Sequence, residues 1–277
     1  MIERRIVAGL IGSRRRTQCH AETRRWTVPS IPSSSHVCRP LSNSSAAFQP
    51  ILPDLSLVDA RKAPIGFEPS FAVVYRDFVS PQEADVLVED VLGRMKRRRY
   101  EKGHWDAVIT GYKEVELHDD SFASGTVLEM FDRTRQHLEQ RHLQDFDPVH
   151  WLPCHAIDLK KDGELKAHVD SVRFSGELVA GISLLSSCIM RLVPDAGDEN
   201  SEQDSACCDQ GYVDLLLPPN SLYALTGDGR YKYSHQLLPD SSVFTSPTDG
   251  TEILVKRDHR LSIIFRDAKR EEKLHSN

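Results

Sequence analysis

A chain of 277 residues with 39% hydrophobic and 27% charged side chains has the composition of a soluble globular protein with one sizeable domain and appendages. It contains no apolar run long enough for a transmembrane helix. Its net charge of −6 is uneven: residues 1–53 hold eight arginines against Glu3 and Glu22, about +6, which leaves the body near −12. A body that acidic is not a general nucleic-acid binder, because phosphate contacts come mainly from Lys and Arg.

The Arg- and Ser-rich, acid-poor segment 1–53 reads as an organelle-targeting peptide, mitochondrial or plastid, followed by a disordered Ser/Pro-rich linker. FAVVYRDFVS (71–80) reads as a strand and exit turn. Ser80-Pro81-Gln82-Glu83 then has the form of a capping box, and Ala84, Leu87, Val88, Val91, Leu92 and Met95 follow at helical spacing to about Lys96. KRRRY (96–100) is either a solvated basic helix end or an anion contact. HWDAVITGYKEVEL (104–117) is strand-like around a Gly turn, and Val127–Leu143 is a second amphipathic helix.

From Val149 the pattern turns to β. Candidate strands are CHAIDLKK (154–161), a turn at Asp162-Gly163, LKAHVDS (165–171), LVAGISLLS (178–186), IMRLV (189–193), YVDLLLP (212–218), SLYALTG (221–227), SHQLL (234–238) and HRLSIIFRD (259–267). Many short strands separated by turn signals indicate a β-sandwich or jelly roll, mainly β with flanking helices. The acidic stretch 194–210 reads as an exposed loop insertion, and 269–277 as a disordered tail. The six cysteines form no C-x-x-C pair, so a structural zinc site is disfavoured; Cys207 and Cys208 read as free thiols in the insertion.

Residues i and i+2 of a strand share a face, so His168 and Asp170 can reach one metal ion. A third ligand is needed; the candidates are His235, His259 and the upstream histidines, with His235 the best placed. Two histidines and one carboxylate suit non-haem iron with open positions for a co-substrate and oxygen. On the last strand Arg260 and Arg266 fall on one face, opposite Leu261, Ile263 and Phe265. Two arginines beside an apolar strand call for anionic partners, either a dicarboxylate ligand or internal Asp and Glu.

Together, His168-x-Asp170, His235 and Arg260-x5-Arg266 resemble the AlkB family of Fe(II)/2-oxoglutarate dioxygenases. RRRYEKGHWDAVI (97–109), KAHVDSVRFSG (166–176), SLLSSCIMRLV (183–193), NSLYALTG (220–227) and YKYSHQLL (231–238) are similar to its mitochondrial branch, and the likeness spans 68–268. The resemblance implies a double-stranded β-helix, with Fe(II) held by His168, Asp170 and His235. It implies that Arg260 and Tyr223 meet the far carboxylate of 2-oxoglutarate and that Arg266 lines the pocket near the metal. The positions where base-repairing members carry Asn and Tyr are here Ile157 and Leu159, so His155 is a candidate replacement contact. No aromatic-rich nucleotide lid is evident between Tyr100 and Trp151.

The resulting expectation is a monomeric enzyme of the mitochondrial matrix. It couples decarboxylation of 2-oxoglutarate, with O2, to hydroxylation of a protein or metabolite rather than duplex DNA. The mitochondrial branch further implies a link to fatty-acid metabolism and programmed necrosis. Competing readings are a non-catalytic jelly-roll adaptor, a zinc hydrolase and a mitochondrial RNA demethylase.

Overall fold

The structure is a computed structural model that describes residues 51–103, 107–122, 124–195 and 211–270, all within the unit Gln49–Asn277. The expected leader with Cys19 and Cys38, nearly all of the acidic insertion with Cys207 and Cys208, and residues 271–277 of the tail lie outside the described residues. Among the described residues no helix is long and apolar enough to cross a membrane, and Cys154 and Cys188 are buried free thiols.

In chain order the strands are β1 (Val58–Asp59), β2 (Ala72–Tyr75), β3 (Ile109–Leu117), β4 (Cys154–Leu165), β5 (Ser175–Leu184), β6 (Cys188–Pro194), β7 (Val213–Leu217), β8 (Ser221–Thr226), β9 (Tyr233–Leu237), β10 (Ser242–Thr245), β11 (Glu252–Val255) and β12 (Arg260–Ala268). The helices are α1 (Pro81–Met95), α2 (Gly125–His142) and α3 (Gly227–Tyr231). A major antiparallel sheet has the order β2-β8-β5-β12-β4-β3, a minor one β1-β7-β6-β9, and β10 and β11 form a separate hairpin. This is a jelly roll with helices outside it.

The major sheet is covered on both faces, which explains why its central strand β5 is buried almost throughout. One face packs on α1 and α2 through Leu261, Ile263 and Phe265 of β12 and Ala180 and Ile182 of β5. The other face, with Val179, Tyr223 and Ile264, closes against Met190, Leu192 and Leu215 of the minor sheet. The helices have local reasons to form. Ser80 Oγ accepts from Glu83 N at 3.2 Å and Glu83 Oε2 accepts from Ser80 N at 2.8 Å, a reciprocal cap worth about 1 kcal/mol. α1 then buries Ala84, Leu87, Val91 and Met95, and α2 buries Val127, Met130, Phe131, Thr134, His137 and Leu138.

Two glycines behave differently from the sequence expectation. Asp162-Gly163 is not a turn: β4 runs through it to Leu165. Gly111 likewise lies inside β3, at a register shift between Thr110 and Tyr112, with φ +65°. A Cβ on Gly163 would come within 2.8 Å of the Thr110 carbonyl oxygen, and one on Gly111 within 3.0 Å of Gly163 Cα. The glycines therefore permit close approach of two strands at a bulge, where the chain was expected to reverse. β1, β10, β11 and α3 were not foreseen; each is five residues or shorter.

The helix side of the core contains two histidines that report on acid stability. The His137 ring, 5% exposed, packs edge-on against Tyr75 and Phe78. His142 Nε2 is 2.9 Å from the Tyr75 hydroxyl. Burial first, then the Arg141 charge, lowers His137 from 6.5 to about 4; burial, then His137 and Arg141, lowers His142 to about 4. A depressed imidazole pKa means that the unfolded chain binds the proton first. The contribution is present above pH 6.5 and is lost as pH falls from 6.5 toward 4. Denaturant midpoints should therefore drop between pH 7 and 5, with His137 contributing on the order of 2 kcal/mol. The drop should be shallower in His137→Phe.

Candidate metal and co-substrate site

β4 ends at Leu165, and the chain then runs irregularly through Lys166–Asp170. His168 and Asp170 are thus not on a regular strand, as expected from the sequence, but on a segment tied to β9 by a single bridge. His168 N donates to His235 O at 3.2 Å and His235 N donates to His168 O at 2.8 Å. That pair of bonds sets the two imidazoles side by side, 4.2 Å between centroids. One ligand atom from each of His168, Asp170 and His235 lies within 4.8 Å of the others.

The protonation states suit a cation. His168 Nδ1 is 2.9 Å from the Lys166 carbonyl oxygen, an acceptor only, so Nδ1 carries the hydrogen and Nε2 keeps its lone pair. His235 is 6% exposed; burial, then neighbouring His168, lowers it to about 4, so the ring is neutral at physiological pH. Burial opposes ionisation of Asp170, but Arg266 above all, with His235, His168 and Arg230, outweighs it and holds the carboxyl at about 2. Arg266 Nη2 donates to Asp170 Oδ1 at 2.9 Å, which leaves Oδ2 on the side of His235, 3.8 Å from its Nε2. Two imidazoles and a carboxylate are a donor set that fits divalent iron.

The other candidate third ligand is engaged elsewhere. His259 Nε2 bonds Asp158 Oδ1, a carboxylate that also accepts from the Tyr100 hydroxyl at 3.0 Å.

An inner cavity runs from the triad along β12, lined by Arg260, Ser262, Ile264 and Arg266 together with Ile157, Leu159, Met190 and Tyr223. The period-2 face assignment on β12 is therefore borne out. Arg260 is 4% exposed, and its Nε and Nη2 are buried without a hydrogen-bond partner. A buried guanidinium with unused donors is costly unless an anion meets it, so this end of the cavity is chemically suited to a carboxylate. Tyr223 lies in the same cavity, its hydroxyl pushed up to about 12 mainly by burial, so it stays a donor. Its ring lies over Gly181, directly opposite on β5; a Cβ there would sit 2.6 Å from Tyr223 Cε1.

His155 is not in this inner cavity. It lies in an outer cleft of about 390 Å³, with Nδ1 2.5 Å from Glu114 Oε1. That cleft also reaches His168, Asp170 and Arg266 and is lined by Val108, Ile109, Leu152, Ile157 and Leu165.

Sequence reasoning missed two contributors. Gly181 stood in an apolar strand, a signal for close approach that could have been read. Arg230 reaches the Asp170 carbonyl oxygen at 3.0 Å from α3, and nothing local marked it.

No family model matches the chain. It is 37% identical over 195 residues to alpha-ketoglutarate-dependent dioxygenase alkB homolog 7, mitochondrial, of Mus musculus, covering 70% of this chain and 77% of that protein. The protein of the same name from Bos taurus is 36% identical over 197 residues, with the same coverage. Among solved structures, a prolyl hydroxylase in complex with a hypoxia inducible factor oxygen degradation domain peptide fragment, from Trichoplax adhaerens, superposes with a TM-score of 0.51. Its identity is 11%, covering 76% of this chain and 88% of that one, a likeness of fold. α-Ketoglutarate is 2-oxoglutarate, the five-carbon diacid that the orphaned Arg260 and the triad together suit. The chain belongs to the AlkB family of Fe(II)- and 2-oxoglutarate-dependent dioxygenases, in the branch whose curated members are named mitochondrial.

Proposed function

We propose that His168, Asp170 and His235 hold the Fe(II), that Arg260 with Tyr223 anchors the far carboxylate of 2-oxoglutarate, and that the outer cleft receives the molecule to be hydroxylated. The observation that carries this reading is the unpartnered Arg260 guanidinium at one end of a cavity whose other end is the triad. When bound, iron, 2-oxoglutarate and O2 supply oxidative decarboxylation to succinate and CO2, coupled to hydroxylation of a C–H bond.

The chain's own residues prepare that chemistry. His168 points Nδ1 at the Lys166 carbonyl oxygen and so offers Nε2 to a metal ion, and the neutral His235 ring offers a second nitrogen. Arg266 takes one oxygen of Asp170 and orients the other toward the imidazoles. Ile157, Leu159 and Ile264 replace water along the cavity with apolar walls, which strengthens the pairing of Arg260 with a carboxylate. His155 stands outside this chamber, so its role moves from co-substrate to the outer cleft.

A protein or metabolite substrate is supported by the aliphatic walls of the outer cleft. Among its described residues the aromatic ones are Tyr112, 2% exposed, and Phe174 on the rim, 63% exposed, so no pair is placed to sandwich a flipped base. The acidic body argues against duplex DNA in the same direction. The Arg-rich leader and the mitochondrial relatives support residence in the mitochondrial matrix, with residues 68–268 as the catalytic domain and the protein a monomer. The branch's link to fatty-acid metabolism and programmed necrosis comes with the same reading. A second reading, RNA demethylation, draws on the exposed run Lys96–Arg99 after α1.

Purified protein given Fe(II) and 2-oxoglutarate should release succinate, and His168→Ala should abolish the release. Arg260→Gln should raise the KM for 2-oxoglutarate by at least about 30-fold, equivalent to ~2 kcal/mol or more, as for removal of one partner of a buried charge pair. Gly181→Ala should displace the Tyr223 ring, raising the same KM and lowering stability by about 1–3 kcal/mol in thermal unfolding. If RNA is the substrate, binding should weaken steeply with salt and lose part of its slope in Arg97→Ala/Arg98→Ala; a protein or small-molecule substrate predicts neither.

A further inference from the structure

Arg230 is a charged side chain buried to 2% exposure whose described hydrogen-bond partners are all neutral. Nη1 donates to the Asp170 carbonyl oxygen at 3.0 Å; Nη2 donates to the Ser171 carbonyl oxygen at 3.1 Å and to Ser175 Oγ at 2.5 Å. Ser175 Oγ in turn donates to the Ser171 carbonyl oxygen at 3.0 Å. All these acceptors belong to the Asp170–Ser175 turn, which leads the chain from the triad into β5.

The helix that bears Arg230 is placed with care. α3 opens on Gly227, at φ +51°, and presses on Phe71 so closely that a Cβ on Gly229 would lie 2.5 Å from the Phe71 carbonyl oxygen. Tyr231 on the same helix donates to the Gly176 carbonyl oxygen at 2.8 Å, a second tie to the start of β5. Immediately after α3 the chain enters β9 and reaches His235. One short helix therefore grips the Asp170 turn on one side and leads into the histidine strand on the other.

Burying a guanidinium against carbonyl groups alone costs desolvation without a full counter-charge. A neutral residue of similar length would avoid that cost if mere filling were needed. Only a fork with several donors can hold two successive carbonyl oxygens and a hydroxyl at once.

We propose that Arg230 is a positioning residue for the metal centre: it holds the Asp170–Ser175 turn so that Asp170 faces His235 before metal arrives. The proposal rests on the reading that the triad binds the metal. Residues that orient metal ligands typically control affinity by about 10- to 100-fold.

The test uses the full chain and Mn(II) alone, with binding read from the electron paramagnetic resonance signal of free Mn(II) and folding read by circular dichroism at the same temperature. His168→Ala should lose saturable binding. Arg230→Met should weaken Mn(II) by about 10- to 100-fold, with Arg230→Lys recovering part of the loss. Ser175→Ala, which removes one acceptor and disturbs the core least, should give a smaller fall in the same direction. Should Arg230→Met fail to fold, Arg230→Lys and Ser175→Ala decide the matter. Wild-type Mn(II) affinity in folded Arg230 and Ser175 variants, with His168→Ala impaired, would overturn the positioning role and leave the triad intact. Wild-type affinity in His168→Ala would overturn the triad itself, and the positioning role with it.

Discussion

Two backbone hydrogen bonds between His168 and His235 join an irregular segment after β4 to a strand of the minor sheet. Everything chemical in the molecule depends on that junction. It brings together residues far apart in the chain, one from the connection into β5 and one from the strand after α3. Backbone bonds fix the ring separation more rigidly than side-chain contacts would, because each consumes an obligatory donor and acceptor of the main chain. The jelly roll supplies the rest: two sheets closed over a cavity, with the triad at one end and β12 as its floor.

The electrostatics of that cavity are lopsided. Asp170 is the one carboxylate among the described residues lining it, and Arg266 already occupies one of its oxygens. Arg260 adds a second positive charge, with its buried Nε and Nη2 left without a hydrogen-bond partner. Nearby Arg257, 5% exposed, donates to the carbonyl oxygens of Lys161 and Leu238. An interior with this surplus of guanidinium is chemically suited to an anion, and a dicarboxylate that also reaches the metal site fits the proposed reading. Arg266 foremost keeps Asp170 ionised, while burial, more than any neighbouring charge, keeps the imidazole of His235 neutral, the two states a divalent ion requires.

How much of this could be read from the amino-acid order differs by feature. The face of β12 was legible because alternation with period 2 is a local property, and Leu261, Ile263 and Phe265 against Arg260 and Arg266 leave one assignment. The capping box was legible for the same reason. The triad was found, but through a strand that does not exist: the spacing of His168 and Asp170 suits a loop held at one point as well as a pleat. Gly163 and Gly111 looked like turn signals because a bulge and a reversal both demand glycine, and only the partner strand distinguishes them. Arg230 had no local signature, since its acceptors lie 55 to 60 residues upstream and appear only once α3 docks. His155 was drawn toward the co-substrate by its position on β4, and the structure turns it to Glu114 in the outer cleft.

The central claim is that one cavity joins the triad to Arg260 through a single bound diacid. The most direct measurement is an anaerobic crystal structure with Mn(II) and 2-oxoglutarate. The account predicts one metal ion ligated by His168 Nε2, Asp170 Oδ2 and a ring nitrogen of His235, with the distal carboxylate of the diacid within hydrogen-bond distance of Arg260. A metal ion bound elsewhere, or a diacid whose distal carboxylate lies away from Arg260, would contradict it.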